Sequence, residues 1–321
     1  MFYVSEQAVE KTVSQAVVTD AIEGIFKALA SEAAVNFPVV RETLGYADAI
    51  FGFKSGFDKS GPTLGVKAGG LWPGNRAKGL ANHQSTIVLF DPDTGGPHAL
   101  VRGTYLTALR TAAASALSIR ALARKDAASL GIVGAGGQST FQVRAALAER
   151  DFKDLYIFDA SAENAEQLKA SLADDGLKIE ITDPERLAAQ SDVIITVTPS
   201  FKPILKDAWV KPGTHLACMG ADTRGKQEVE TALVARSSLF GDEAQQAVTL
   251  GECQHAYAAG DITPEDIVTL GHVLSGAHPG RTDTQEVTLF DSTGMGLQDL
   301  AAAVTALRQA QEAGLSVTLE D

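Results

Sequence analysis

A chain of 321 residues exceeds what one hydrophobic core usually serves, so its length predicts two domains. Hydrophobic residues make up 45% of the chain and charged residues 21%, a composition that excludes a disordered, fibrous or disulfide-stapled protein. The 27 basic and 40 acidic side chains leave a formal charge of −13, which argues against nucleic acid or an anionic membrane as the main partner.

The two cysteines, Cys218 and Cys253, are too few and too far apart for a disulfide framework or a metal-ligand spacing. We therefore expect no metal site and a reducing compartment, the cytoplasm. The N-terminus has no basic flank followed by a sustained apolar stretch, so no signal peptide is predicted. No segment reaches the roughly 18 apolar residues of a membrane helix.

The first part of the chain predicts one helix followed by a group of strands. Apolar residues recur at helical spacing behind the capping pair Thr19-Asp20, which predicts an amphipathic helix near residues 19–33. Short apolar runs separated by Gly, Pro and Asn then predict an antiparallel sheet, with a turn at Asp91–Gly95. The predicted strands are Ile50–Phe57, Thr63–Ala68 and Thr86–Phe90. An Ala-rich connecting helix, Leu106–Arg124, follows them.

Beyond residue 124 the pattern alternates between strands and helices, as in a parallel sheet with crossover helices. The predicted strands are Leu130–Val133, Leu155–Asp159, Ile179–Thr182, Val193–Thr198, His215–Met219 and Val287–Phe290. The predicted helices begin at Gln138 and Ala162, lie near Pro184–Ala189, and end the chain at Leu297–Ala313. The fold class is therefore α/β, with a parallel sheet in the second part of the chain.

A glycine-rich segment from Gly131 to Ser139 follows the first of these strands and opens a helix. Gly134 and Gly136 lie where the turn must be tight and the backbone must approach a pyrophosphate, while Ser139 replaces the third glycine of the usual pattern. Asp159 ends the next strand, where a carboxylate accepts both ribose hydroxyls and repels a 2′-phosphate. The sequence predicts NAD as cofactor, with NADH preferred over NADPH.

Together these motifs resemble the ornithine cyclodeaminase and mu-crystallin family along nearly the whole chain. The motifs are Gly65-Val-Lys67 with Pro73-Gly-Asn75, Asn82-His-Gln84, Leu106–Ala113, Gly134–Gln138, Gly220-Ala-Asp222 with Lys226 and Glu228, Asp291–Gly294, and Gln298-Asp299. The resemblance implies an NAD(P)-dependent enzyme that acts on amino acids and imines, commonly as a homodimer. It also implies a Rossmann dinucleotide-binding domain at residues 119–296 and a smaller α+β substrate and dimerisation domain at residues 1–118, which the C-terminal helix at 297–321 completes.

Carried over by position, the resemblance implies roles for individual residues. Arg41 and Lys67 would hold the substrate carboxylate, Arg110 would lie between substrate and nicotinamide, and Asp222 would face the reacting nitrogen. This makes Lys67 and Asp222 the catalytic candidates. An arginine side chain offers two parallel donors to a carboxylate, which suits the binding of a small acid. The cofactor candidates are Asn82, where the family more often has Thr, with Arg110, Thr111, Gly134, Gly136, Gly137, Gln138, Ser139, Asp159, Thr198, Met219, Asp222, Lys226, Ser292 and Thr293.

The substrate pocket has features that favour a dicarboxylate. Strand alternation puts Lys54 on the face opposite Phe51 and Phe53, where it would point as Lys67 does from the paired strand. A second cation suits a second carboxylate, and His83 could add a donor nearby.

Several stretches outside the shared motifs resemble the enzymes that reduce iminosuccinate to L-aspartate with NADH. They are Asn36–Glu42, Phe51–Asp58, Phe90–Gly95 and Gly251–Gly260. This reaction is the expected activity. The alternatives are an ornithine cyclodeaminase, an alanine dehydrogenase, a reductase of cyclic ketimines such as pyrroline-2-carboxylate, and a crystallin-like protein that binds small ligands without catalysis.

Overall fold

The computed structural model describes residues 1–320, which form two compact units. Unit 1 comprises residues 1–110 and 295–320, and unit 2 comprises residues 111–294. The sequence placed the domain boundaries at 118/119 and 296/297. The first change of unit falls inside one continuous helix, Thr104–Leu122, so no break in the backbone marks it. The division into functional domains remains a prediction.

Helices and strands account for most of the described chain. The strands are β1 (Phe2–Val4), β2 (Ala34–Asn36), β3 (Val40–Thr43), β4 (Ile50–Asp58), β5 (Thr63–Leu71), β6 (His83–Phe90), β7 (Pro97–Arg102), β8 (Ser129–Val133), β9 (Asp154–Phe158), β10 (Lys178–Ile181), β11 (Val193–Thr196), β12 (Phe201–Leu205), β13 (His215–Cys218), β14 (Gln227–Val229), β15 (Ser238–Gly241), β16 (Ile267–Thr269), β17 (Thr288–Asp291) and β18 (Val317–Thr318). The α-helices are α1 (Glu6–Thr12), α2 (Gln15–Ala30), α3 (Thr104–Leu122), α4 (Ser139–Leu147), α5 (Ala162–Ser171), α6 (Pro184–Gln190), α7 (Thr231–Arg236), α8 (Ala244–Leu250), α9 (Gln254–Ala259), α10 (Leu270–Leu274) and α11 (Gly296–Glu312).

Unit 1 is built on a mixed sheet with the strand order β18-β1-β7-β6-β5-β4-β2, to which β3 adds by pairing with β4. Strands β4 to β7 pair antiparallel, as predicted, and β1 joins β7 in parallel. Ser85, Ile87 and Leu89 of β6 are buried and alternate with less buried neighbours. This period of two marks a sheet with one face against a core.

Helix α11 covers one face of this sheet, where it packs against β4, β5 and β6. A Cβ atom added at Gly65 of β5 would lie 2.7 Å from Cδ2 of Leu300, so a side chain at this position would push the helix away. The glycine therefore lets helix and sheet approach closely, and the residues at the start of α11 lie against β5.

Unit 2 contains a sheet of parallel strands in the order β10-β9-β8-β11-β13-β17-β15-β16. All residues of β8, β11, β13 and β17 are buried, because helices connect the strands on both sides. The strand order reverses direction between β8 and β11, which is the topological switch point of a Rossmann-type fold. The predicted parallel sheet and fold class are confirmed.

One helix boundary was predicted wrongly. Helix α2 begins at Gln15, with the Ser14 side chain accepting the Val17 N–H, and ends at Ala30. Thr19 lies within the helix, where its hydroxyl donates to the Gln15 carbonyl. The helix starts earlier because Val18 is fully buried and belongs to the same apolar face. The other predicted elements are present, with ends shifted by up to three residues.

Candidate active site

A group of cationic side chains projects from one face of the unit 1 sheet. Lys54 of β4 lies directly opposite Lys67 of β5 in the antiparallel register, and residues paired in this way point to the same side. The alternation therefore predicted the direction of Lys54 correctly. Arg41 pairs with Gly52, two residues from Lys54 along β4, and so shares this face. His83 of β6 pairs with Leu71 of β5 and extends the same face.

Asp299 in the first turn of α11 connects two of the predicted site residues. Its Oδ1 atom accepts hydrogen bonds from Nζ of Lys67 at 2.9 Å and from Nε of Arg110 at 3.0 Å. Nη1 of Arg110 also donates to Oε1 of Gln298 at 3.3 Å. Asp299 is fully buried, and Lys67 and Arg110 are only 5% and 6% exposed. The structure thus brings Lys67 and Arg110 together through a carboxylate.

The sequence analysis quoted Asp299 in a motif but gave it no function. A signal was present, because Asp299 shares its face of the last helix with Ala303, Ala306 and Ala310, and an acidic residue on an apolar face is buried only with a partner. Its cationic partners could not be identified from that position, since Lys67 is 232 residues away in sequence.

Burial and neighbouring charges shift the pKa values of this group strongly. Burial lowers the pKa of Lys67 to about 7; the charge of Asp299 opposes this shift, while Arg110 and Lys54 add to it. Burial, followed by the charges of Lys67 and Arg110, lowers the pKa of His83 to about 3. At neutral pH His83 is therefore uncharged, and it offers one ring nitrogen as donor and the other as acceptor.

The glycine-rich segment of unit 2 forms a tight turn between β8 and α4. Gly134 adopts a φ of +102°, and a Cβ atom there would lie 2.8 Å from the Val197 carbonyl oxygen, so this position requires glycine. Gly136 and Gly137 are exposed, and an added Cβ would meet no atom within 4 Å. The Ser139 hydroxyl donates to the Gly136 carbonyl at 2.6 Å. The open backbone at the start of α4 fits the pyrophosphate of a dinucleotide.

Asp159 follows β9 and contributes to the shape of this turn. Its Oδ2 accepts the Ala135 N–H at 2.7 Å, and its Oδ1 accepts the Ser161 N–H at 2.7 Å. Oδ1 also accepts Nδ2 of Asn164 at 3.4 Å, so Oδ2 is the oxygen that can accept a further hydrogen bond from a ribose hydroxyl. The predicted contact of Asp159 with the ribose remains a prediction.

A second carboxylate, Glu228, belongs to a predicted motif but had no predicted role, and it organises the loops after β11 and β13. Oε1 of Glu228 accepts the backbone N–H of Thr198 at 2.6 Å and its hydroxyl at 2.8 Å. Oε2 accepts the Thr196 hydroxyl at 2.7 Å and the Gly220 N–H at 2.9 Å. These two loops carry the predicted cofactor residues Thr198 and Met219.

The remaining predicted residues have identifiable positions. In unit 2, Nζ of Lys226 donates to Oδ1 of Asp222 at 2.7 Å, so these two site candidates form an ion pair. Ser292 and Thr293 both donate to Asp242, at 3.1 and 3.0 Å. The remaining candidates are Thr111, which is buried on α3, Gln138, which precedes α4, and Asn82 of unit 1, whose Oδ1 accepts the Arg76 N–H at 3.0 Å.

In residues 1–320 no helix has the length and apolar character to cross a membrane. The same part of the chain contains no group of three His, Cys, Asp or Glu side chains that could hold a metal ion.

The Rossmann-type sheet, its glycine turn and the buried cationic group define an α/β protein of the dinucleotide-binding class. The model of the ornithine cyclodeaminase/mu-crystallin family matches residues 3–314, and the chain belongs to this family. It is 49% identical over 320 residues to the iminosuccinate reductase of Paracoccus denitrificans (strain Pd 1222), with 100% of each chain covered.

Solved structures of relatives have the same fold. The crystal structure of the Paracoccus denitrificans iminosuccinate reductase in complex with NAD+ matches with a TM-score of 0.95 and 48% identity, covering 100% of this chain and 99% of the other. An archaeal alanine dehydrogenase dimer with bound NAD matches with a TM-score of 0.94 and 31% identity, covering 100% of this chain and 99% of the other.

Proposed function

We propose that this protein reduces iminosuccinate to L-aspartate with NADH. The observation that carries the proposal is the arrangement of Lys54 opposite Lys67 on one sheet face. The 49% identity to an iminosuccinate reductase over the whole chain supports the same reaction.

The charges near Lys67 suit a substrate with two carboxylates. Arg41, Lys54, Lys67 and Arg110 are four cations, and Asp299 is the carboxylate bonded to two of them, which leaves a formal surplus of three positive charges when Lys67 is protonated. A dianion neutralises two of these charges, whereas a monoanion neutralises one and leaves more positive charge without compensation, at a cost in free energy. The cationic side chain of ornithine would add to the surplus, which disfavours the cyclodeaminase reaction.

The proposed roles of the residues follow from these positions. Arg41 and Lys67 bind the α-carboxylate, and Lys54 and the neutral His83 bind the β-carboxylate. Asp222 keeps the imine nitrogen protonated, because a carboxylate stabilises an iminium cation. When bound, the reduced dinucleotide supplies a hydride to the imine carbon. The π electrons of the C=N bond then move to nitrogen, and the iminium becomes an amine that takes a proton from water.

We propose NADH as the preferred donor because Asp159 follows β9 beside the glycine turn, where its charge would repel a 2′-phosphate. Gly134 and the exposed Gly136 and Gly137 would hold the pyrophosphate. Thr198, Met219, Lys226, Ser292 and Thr293 are proposed to surround the rest of the dinucleotide in unit 2, with Thr111, Gln138 and Ser139 at its helices.

We also propose a cytoplasmic homodimer. Both cysteines are buried and are not joined in a disulfide, which is compatible with a reducing compartment. Strands β2 to β4 and the loop after β3 expose several apolar side chains, a feature of surfaces that bind another protein. They are Val35, Val40, Leu44, Phe53 and Tyr46, the last of which is 79% exposed. The alanine dehydrogenase relative is a dimer.

The function is tested by following NADH oxidation with iminosuccinate generated from oxaloacetate and ammonia. Parallel reactions contain pyruvate with ammonia, pyrroline-2-carboxylate, or ornithine without NADH. We expect the dicarboxylate to give the highest kcat/KM. Reduction of pyrroline-2-carboxylate without any response to iminosuccinate would refute the proposed substrate, and ammonia release from ornithine would support a cyclodeaminase instead.

The variant Lys54→Met tests the second carboxylate. We expect kcat/KM for iminosuccinate to fall by at least about tenfold, because a charge-assisted hydrogen bond contributes about 1.5–3 kcal/mol. The imine of pyruvate lacks the β-carboxylate, so its kcat/KM should change less. Lys11→Met, at an exposed position of α1, is the matched control. Equal losses with both substrates would show that Lys54 does not bind the β-carboxylate.

A further inference from the structure

Lys67 is held by two acceptors from different elements of unit 1. Its Nζ atom donates to Oδ1 of Asp299 on α11 at 2.9 Å and to Oγ1 of Thr107 on α3 at 2.7 Å. The Thr107 hydroxyl itself donates to the Gly103 carbonyl at 2.6 Å, so its oxygen is an acceptor toward Lys67. The direction of both hydrogen bonds is therefore defined.

These two hydrogen bonds fix the remaining position on the lysine nitrogen. An ammonium group has three N–H donors in a tetrahedral arrangement, and Asp299 and Thr107 use two of them. Because the Cε–Nζ bond and these two hydrogen bonds occupy three of the four tetrahedral directions at Nζ, the direction of the third N–H bond is fixed. A protonated Lys67 presents a donor there, and a neutral Lys67 presents a lone pair.

We propose that Asp299 is a positioning residue, which orients Lys67 and keeps it protonated so that its third N–H binds the substrate. This inference rests on the proposed function for the identity of the substrate. The proposal assigns a role to the buried carboxylate of Asp299, which contacts two cations. The same carboxylate also receives Nε of Arg110, so one residue aligns both cations.

The charges around Lys67 explain why a carboxylate is needed. The charged and titratable groups that act on it are Arg110 on α3, Lys54 on β4 and Asp299 on α11, with His83 on β6 nearby. Burial and the two cations all favour the neutral amine, and Asp299 is the group that favours the ammonium. Burial alone would raise the pKa of Asp299, but Arg110, Lys67 and Lys54 lower it to about 2, so it is ionised wherever Lys67 titrates.

Asp299→Asn removes the charge with little change in shape. Oδ2 of Asp299 is buried and has no hydrogen-bond partner within residues 1–320. The amide nitrogen of asparagine can take this position without displacing a donor, while the amide oxygen still accepts from Lys67 and Arg110. The variant therefore isolates the electrostatic part of the role.

The first measurement is the titration of Lys67 by NMR in protein labelled with ¹⁵N at lysine Nζ, without cofactor or substrate. The resonance is assigned by its loss in Lys67→Arg. We expect a midpoint near 7 in the wild type, where the pKa of Lys67 is lowered to about 7, and a midpoint at least one pH unit lower in Asp299→Asn. Identical midpoints would overturn the proposal.

The second measurement is the pH profile of kcat/KM, with each variant compared to the wild type at the same pH. The activity of Asp299→Asn relative to the wild type should fall about tenfold between pH 5.5 and pH 8, because the variant loses the ammonium at lower pH. A purely structural defect would reduce activity by the same factor at every pH, and that result would also overturn the proposal.

Thr107 provides a test that does not depend on Asp299→Asn folding. Thr107→Val is nearly isosteric but removes the acceptor, whereas Thr107→Ser retains the hydroxyl. We expect Thr107→Val to lose at least about tenfold in kcat and Thr107→Ser to keep most of the activity. Unchanged kcat in Thr107→Val would contradict the fixed orientation of Lys67.

Failure of this inference is distinguishable from failure of the proposed function. The NMR titration needs no substrate, and the pH profile is measured with whichever imine the wild type reduces. If the wild type reduced pyrroline-2-carboxylate and not iminosuccinate, the substrate would be wrong, but the Lys67 midpoints would still decide the role of Asp299.

Discussion

Asp159 has a structural task in addition to the recognition task that is predicted for it. Its carboxylate accepts the backbone N–H groups of Ala135 and Ser161, and it thereby ties the glycine turn to the end of β9. The predicted contact with the ribose would use its remaining acceptor capacity. Substitution should therefore affect both the shape of the turn and the choice of dinucleotide.

We predict that Asp159→Asn reduces the ratio of kcat/KM for NADH to that for NADPH at least about tenfold. The neutral amide no longer repels a 2′-phosphate, and it accepts fewer hydrogen bonds from the ribose. Steady-state kinetics with both dinucleotides measure the ratio. Asp154→Asn, at the other end of β9, is the matched control. If the ratio is the same in both variants, Asp159 does not select the dinucleotide.

The residues that the sequence analysis located most accurately are those whose position follows from local pattern. The alternation of β4 predicted that Lys54 points as Lys67 does, and the register confirms it. The glycine turn and Asp159 were found because strand, turn and helix are adjacent in sequence. Asp299 and Glu228 were given no role, because their partners are far away in the chain and only the tertiary fold brings them together.

At the level of elements, Glu228 couples the loops that follow two neighbouring parallel strands. Burial raises its pKa, and the hydrogen bonds from Thr196, Thr198 and Gly220 oppose that shift. These donors lie at the carboxyl ends of β11 and β13, the edge at which Rossmann-type sheets bind their ligands. The geometry of this edge therefore depends on a carboxylate that a cofactor need not touch.

We predict that Glu228→Gln weakens NADH binding about tenfold or more. Either orientation of the amide places its NH2 group against a backbone N–H, that of Thr198 or that of Gly220, so one loop loses its hydrogen bond. An unsatisfied buried donor costs about 1–3 kcal/mol. The affinity is measured by NADH fluorescence titration.

Glu230→Gln is the control for this variant, because Glu230 accepts a backbone N–H from Asp207 and none from either loop. Thermal unfolding of both variants separates a local effect on the loops from general destabilisation. Tight NADH binding by Glu228→Gln would show that the carboxylate does not organise the cofactor site.

Helix ends were harder to predict than helices. Helix α2 was placed too late because Thr19-Asp20 is a good capping pair by residue type, yet Ser14 is the residue that caps the helix. Both candidates have the hydroxyl that capping needs. The choice between them depends on which apolar residues the fold buries, and Val18 lies in the core.

For the whole molecule, overall charge and local charge have opposite signs. The chain carries a formal charge of −13, but the face of the unit 1 sheet with Lys54 and Lys67 is cationic. Local charge also matters for stability. Burial without a compensating charge shifts the pKa of a titratable group, and the free energy of unfolding then depends on pH.

His215 connects three elements of unit 2 in its neutral form. One ring nitrogen is 2.9 Å from the Thr288 hydroxyl of β17, and the other is 3.1 Å from the Ser118 hydroxyl of α3. Burial, followed by the charges of Arg281 and Arg150, lowers the pKa of His215 to about 3. The unfolded chain binds this proton below about pH 6.5, but the folded chain does not. The stabilising effect is thus complete above pH 6.5 and is lost as the pH falls toward 3.

We therefore predict that the free energy of unfolding of His215→Gln, relative to that of the wild type, rises as the pH is lowered from 6.5 to 4, by up to about 1.4 kcal/mol per pH unit. Urea denaturation at several pH values measures the slope. Asp291, whose pKa burial raises to about 7, acts in the opposite direction, so the difference between variants is the informative quantity. His98→Gln, at an exposed site, should leave the slope unchanged. If both variants share one slope, His215 is not the residue that makes folding sensitive to acid.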